Sequence, residues 1–88
     1  MLRLPEELNH ASANACLQQL TEGLAGEPAQ VVVDAQPLQH FDSTALALLI
    51  EFRRACAGAG KVLVVQGLPQ RLRDLAALYG VEELILCA

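Results

Sequence analysis

At 88 residues the chain is long enough for one domain, 1–88, and too short for two, because a fold this small already leaves much of its surface wet. It is 53% hydrophobic but only 3% aromatic, so Leu, Val, Ile and Ala must interdigitate to fill one core, a composition that suits helices packed on a sheet. A net charge of −4 argues against the basic footprint that neutralises phosphates along DNA or RNA, so nucleic acid is not an expected partner.

Leu2-Arg3-Leu4 alternates as a very short strand, blunted by Arg3 and closed by Pro5, which predicts a sheet edge. Arg3, Pro5, Glu6 and Glu7 occupy the stretch where a secretory signal would need an apolar run, and no later run reaches the ~18 to 20 residues of a membrane span. The chain is therefore expected to act in the cytosol. From Ala11 to Ala25, Ala13, Cys16, Leu17, Leu20 and Leu24 recur at helical spacing, and Gly26 is placed to stop that helix. Val31-Val32-Val33 and Val62-Leu63-Val64-Val65 are unbroken β-branched runs, as expected of strands covered by helices on both faces or buried centrally in a parallel sheet, and they are expected to form the heart of the sheet. Between them Thr44 to Ala57 is long enough for a crossover helix, which predicts a βαβ unit. Pro69 and Gly80 bracket a third helix with an apolar face of Leu72, Leu75, Ala76 and Tyr79. The tail Leu84-Ile85-Leu86-Cys87 fits a final strand better than a helical turn, although periodicity alone does not separate the two.

Cys16, Cys56 and Cys87 are odd in number and lack the spacing of a zinc site, so they read as reduced core thiols. No Walker or Rossmann glycine pattern is present, and no cofactor is expected. A hydrolase built on Ser43 would need His10 or His40 within reach, yet no Gly-x-Ser-x-Gly turn accompanies it, and the chain is not expected to be an enzyme. Asp34 and Asp42 could in principle hold a divalent cation, but a strand-end partner and a helix cap are the commoner roles for such a pair, and no metal is expected. Arg53, Arg54, Arg71 and Arg73 read as solvated helix sides, or as rim contacts to an acidic partner.

In open α/β sheets ligands gather beyond the carboxyl ends of strands, which directs attention to the segment after Val33. There Asp42, Ser43 and Thr44 stand directly before the central helix. They can simply cap it, since their oxygens accept from first-turn amides that otherwise lack partners. They can also form a docking tip, where a phosphate on a hydroxyl would bring about −1.5 to −2 charges and be held by the helix dipole and free amides. Ala45, Leu48, Leu49, Phe52 and Cys56 fall on one face able to cover the sheet, while Leu46 and Ile50 lie on an apolar flank. That flank either docks a partner or packs on a neighbouring helix.

The segment VVVDAQPLQHFDSTALALLIEFRRACAGAGKVLVV resembles the core of a STAS domain, the fold of anti-sigma factor antagonists. The likeness rests on the strand ending in Asp34, the Asp42-Ser43-Thr44 turn, Leu46 and the basic end of the helix. The continuation QGLPQRLRDLAALYGVEELI, with Leu75 to Tyr79, is more particularly similar to the MlaB-like group, the STAS subunits of phospholipid-transport ABC complexes. The resemblance implies a small mixed or parallel sheet of about four strands with three helices. It implies too that the chain opens at the family's second strand, either because the sheet is one strand smaller or because the true start lies upstream. It further implies a non-catalytic adaptor that binds an ABC ATPase serving phospholipid transport and outer-membrane lipid asymmetry, at the inner face of the inner membrane through its complex. The alternative it carries is an anti-sigma factor antagonist switched by an anti-sigma factor kinase. By position Thr44 matches the phosphorylated serine of the antagonists and Ser43 the hydroxyl that follows aspartate in the transport subunits, so both are candidate phosphorylation sites. Ala45 stands where antagonists usually carry glycine. The expected partner surface is Asp42, Ser43, Thr44, Ala45, Leu46 and Ile50.

Overall fold

A computed structural model of the chain describes residues 2–81. Eight elements follow in order: β1 (Leu2–Arg3), β2 (Glu7–Leu8), α1 (His10–Leu24), β3 (Gln30–Asp34), β4 (His40–Phe41), α2 (Thr44–Gly58), β5 (Val62–Gln66) and α3 (Gln70–Leu78). The expected helices and the strands at Leu2, Val31 and Val62 are all present, giving an α/β fold of the STAS type. The tail around Leu84 to Cys87 lies outside the described residues.

β1, β3 and β5 form a parallel sheet in that order, with Val31 opposite Leu63, Val33 opposite Val65 and Leu2 opposite Val33. β3 is thus the central strand, and Val31 and Val33 are wholly buried. Of the two arrangements open to the valine runs, a central place in a parallel sheet holds for β3, whereas full cover on both faces does not, because burial alternates: Val32 and Val64 are only partly covered and Val62 is 64% exposed. The period-2 pleat decides this outcome, since Val31, Val33, Leu63 and Val65 all point to one side, where the core lies. A second, two-residue parallel pair was not expected from the sequence: Glu7 of β2 lies opposite His40 of β4, and Leu8 opposite Phe41.

α1 packs on α2, α2 packs on β5 and α3 packs on α2. Cys16, Leu20 and Leu24 of α1 meet Leu48, Leu49, Phe52 and Cys56 of α2 in one continuous core, with Leu72 and Ala76 of α3 also buried in it. Fully burying side chains such as Leu49 and Phe52 contributes about 1.5–3 kcal/mol each. Gly26, expected to stop α1, does not adopt the left-handed conformation that would make it a stop signal. The helix end is closed from a distance, by Lys61 Nζ donating to the carbonyls of Leu24 at 2.7 Å and Glu27 at 2.6 Å. Gly80 does end α3 in the left-handed region, at φ 72°. Gly67, at φ 68°, turns the chain after β5 so closely past Gln36 that a Cβ there would collide with it.

Candidate functional site

The tip of α2 is presented by β4, which hangs from β2 by its two-residue pairing and by Gln39 and His40 amides donating to the Glu6 carbonyl at 2.8 and 3.0 Å. Asp42 then turns the chain into the helix: its Oδ1 accepts from the Thr44 amide at 2.8 Å, and its carbonyl accepts from the Ala45 amide at 3.1 Å. Hydrogen bonds from the Thr44 hydroxyl, and after it from the Thr44 amide, hold the Asp42 carboxyl below the ordinary carboxylate range, with the charge on His10 a smaller pull in the same direction. Asp42 is therefore the working cap of α2, and Ser43 is not.

Ser43 already has helical dihedrals, φ −62° and ψ −15°, and its hydroxyl makes no capping bond. It is exposed, as is Asp42, whereas Thr44 is half-buried and engaged with Asp42. The free first-turn amides expected to receive a phosphate are occupied: Thr44 and Ala45 donate to Asp42, and Leu46 donates to the Ser43 carbonyl at 3.1 Å. A carboxylate already sits at the positive end of the helix, so a second anion on Ser43 or Thr44 would be repelled by it.

The remaining residues of the expected surface separate by burial. Ala45 is 0% and Leu46 3% exposed, so both belong to the core and offer nothing to a partner. The Leu46/Ile50 flank is thus not an open docking face, and Ile50 is partly buried against the same core. On its side toward α1, α2 exposes Ala47 and Glu51. Thr44, Ala47, Leu48 and Glu51 face His10, Ala13, Asn14 and Leu17 of α1 across a groove of about 150 Å³. A second groove of about 190 Å³, lined by Glu7, Asn9, His40, Phe41 and Asp42, lies on the far side of the tip. Asp42 and Thr44 each border one groove, and the exposed Ser43 stands between those two residues in the chain.

Several contributors to this region were not legible in the sequence. The first half of α1 supplies one wall of the first groove, and Glu7 of β2 with Asn9 one wall of the second. Arg71 is exposed, as read from the sequence, and in addition lays its guanidinium over the Phe41 ring, with Cζ 5.3 Å from the centroid. Asp34 spends its carboxylate on a local turn, accepting from the Gln36 amide at 3.0 Å, as a strand-end role requires. Cys16 and Cys56 are buried free thiols, and burial pushes both above the ordinary thiol range.

A family model described as "Mlab, STAS domain" matches residues 1–86. The chain belongs to the STAS domain family. The match takes in the stretch before Val31 that the motif resemblance had not reached. No curated protein gives a significant match. STAS domains typically bind protein partners and are generally non-catalytic, which fits a site made of a helix tip between shallow grooves. No helix among the described residues is long and apolar enough to cross a membrane.

Proposed function

We propose that this chain, as a single STAS domain over residues 1–88, is a non-catalytic adaptor that docks the tip of α2 onto the ATPase of an ABC transporter for phospholipids. In that role it works in the cytosol, at the inner face of the inner membrane through the complex, and supports the lipid asymmetry of the outer membrane. The observation that carries the proposal is the division of labour at the tip: Asp42 caps the helix and leaves the Ser43 hydroxyl exposed and uncommitted. A hydroxyl held on a rigid helix start can be gripped by a partner without unmaking any internal bond. The Leu46 and Ala45 positions act from beneath, by fixing the helix on its core, and Ile50 lies at the margin.

The test is co-expression with the phospholipid-transport ATPase of the same organism. The wild-type chain is expected to co-purify with it, and Ser43→Glu and Thr44→Glu to weaken the complex at least about tenfold by adding an anion beside Asp42. Unchanged binding in both variants would place the interface elsewhere. The antagonist reading is favoured by the same exposed hydroxyl, with Ser43 the better acceptor because Thr44 is half-buried and bonded to Asp42. Intact mass after incubation with an anti-sigma factor kinase separates the two, since an adaptor to the ATPase needs no added phosphate.

A further inference from the structure

We infer that Arg71 is a positioning residue for the tip of α2, acting through Phe41; this rests on the docking role proposed above. β4 leads into Asp42 and lies outside the main three-stranded sheet, held by a two-residue pairing with β2 and by the Gln39 and His40 amides donating to the Glu6 carbonyl. Phe41 closes that strand and is bonded directly to Asp42, so the orientation of its ring and backbone sets where the cap begins. The ring is only partly buried, packed on the core along one side. Arg71 stacks over it at 5.3 Å.

Arg71 itself stands on firm ground. It lies in the first turn of α3 beside Leu72, which is wholly buried, and five residues before Ala76, also wholly buried. The guanidinium therefore links a helix whose neighbouring residues are wholly buried to a strand that meets the core only through one side of Phe41, and clamps the residue immediately before the Asp42 cap. Cation and ring attract through the ring quadrupole, and the planar guanidinium loses little freedom in stacking. Without the clamp, Phe41 and the Asp42 turn would sample more orientations, and the partner would have to order them on binding.

A cycle of R71A, F41L and the double variant tests this on the full chain, read by amide exchange in the free protein and by affinity for the co-expressed phospholipid-transport ATPase. R71A is expected to speed exchange at Thr44, Ala45 and Leu46 by about two- to fivefold, with the amides of Leu20 and Val33 unchanged, and to weaken docking by a similar factor. In the F41L background R71A should add nothing to either effect. A docking loss that persists in the F41L background with first-turn exchange unaltered would mean that Arg71 touches the partner directly, and overturns the inference. Docking or exchange left unchanged by R71A overturns it as well. If the wild type binds no such ATPase, the adaptor proposal fails, while the exchange comparison alone still decides whether Arg71 orders the tip.

Discussion

The two long helices begin in opposite ways. α1 opens on a closed reciprocal pair: the Asn9 side chain accepts from the Ser12 amide at 3.1 Å, and the Ser12 hydroxyl accepts from the Asn9 amide at 3.1 Å. The Asn9 and Ser12 side chains are both used up internally, as a capping box requires. α2 opens on a division: Asp42, one residue before the helix-flanking Ser43, makes the cap, and the serine is left over. The first arrangement maximises helix stability, and the second keeps a hydroxyl available to something outside the chain. Similar polar residues thus serve folding at one helix start and, under the docking proposed above, recognition at the other.

The contrast extends to the far ends, and there the largest stability effect is expected. α1 is closed at both termini, its final carbonyl, that of Leu24, by Lys61 reaching across from the residue before β5, which also binds the Glu27 carbonyl just beyond the helix. Lys61→Met keeps the aliphatic stem but leaves the Leu24 and Glu27 carbonyls without the ammonium. A loss of about 1.5–3 kcal/mol is expected from the midpoint of urea denaturation, the range for hydrogen bonds to a charged group. A loss below about 0.5 kcal/mol would mean that water replaces the lysine freely, and α1 would no longer count as sealed at both ends.

A smaller effect sharpens the comparison at the starts themselves. Asn9→Ala should cost about 1 kcal/mol, the usual value of a side-chain N-cap, and leave docking untouched. Ser43→Ala should stay within about 0.5 kcal/mol of wild type in stability, because no capping bond is removed. If Ser43→Ala costs as much as Asn9→Ala, Ser43 is a structural cap after all and the division at α2 is wrong.

How much of this was legible follows from which interactions are local. Helical periodicity placed all three helices to within a residue or two, because Cys16, Leu20 and Leu24, or Leu72 and Ala76, report a buried face directly. The valine runs located β3 and β5 but not the exposure of Val62, since an unbroken apolar run does not say which of its two faces finds a covering layer. Gly26 misled because glycine signals a stop only when it takes the left-handed conformation, and a lysine 35 positions later than Gly26 did the work instead. At the site, Asp42, Ser43 and Thr44 were found from their place after a strand and before a helix. Which of them would cap was not legible, because Asp and Ser are near-equal caps and only backbone dihedrals choose between them. Leu46 was misplaced for a related reason: a helical wheel gives angles around an axis, and α2 buries a wider arc than one packed layer requires. Arg71 on Phe41 and Glu7 beside His40 join residues far apart in the chain, and no local pattern announces them.

The smallest expected effect bears on Asp42 and depends on pH. Its carboxyl is held below the value of 3.8 expected of the unfolded chain, chiefly by the Thr44 hydroxyl and amide, both of which donate to the ionised form. A folded-state value lower than the unfolded one contributes stability that is present above the unfolded value and lost as pH falls through the folded one. Asp42→Asn keeps an oxygen able to cap the Thr44 amide and exchanges the other for an NH2, so the variant removes the charge and one acceptor while leaving the backbone cap in place. Wild type should hold a small advantage over Asp42→Asn at neutral pH that shrinks progressively below about pH 4. Because the carboxylate is open to water, most of its charge interaction is screened, and the acid titration of the Thr44 amide shift is a sharper gauge than denaturation. That shift should follow a single proton with a midpoint below 3.8 in wild type and show no such step in Asp42→Asn. A midpoint at or above 3.8 would mean that Thr44 does not hold the carboxylate in solution. Ser43 would then be the group nearest to hand for the cap, and the two helix starts would no longer differ in kind.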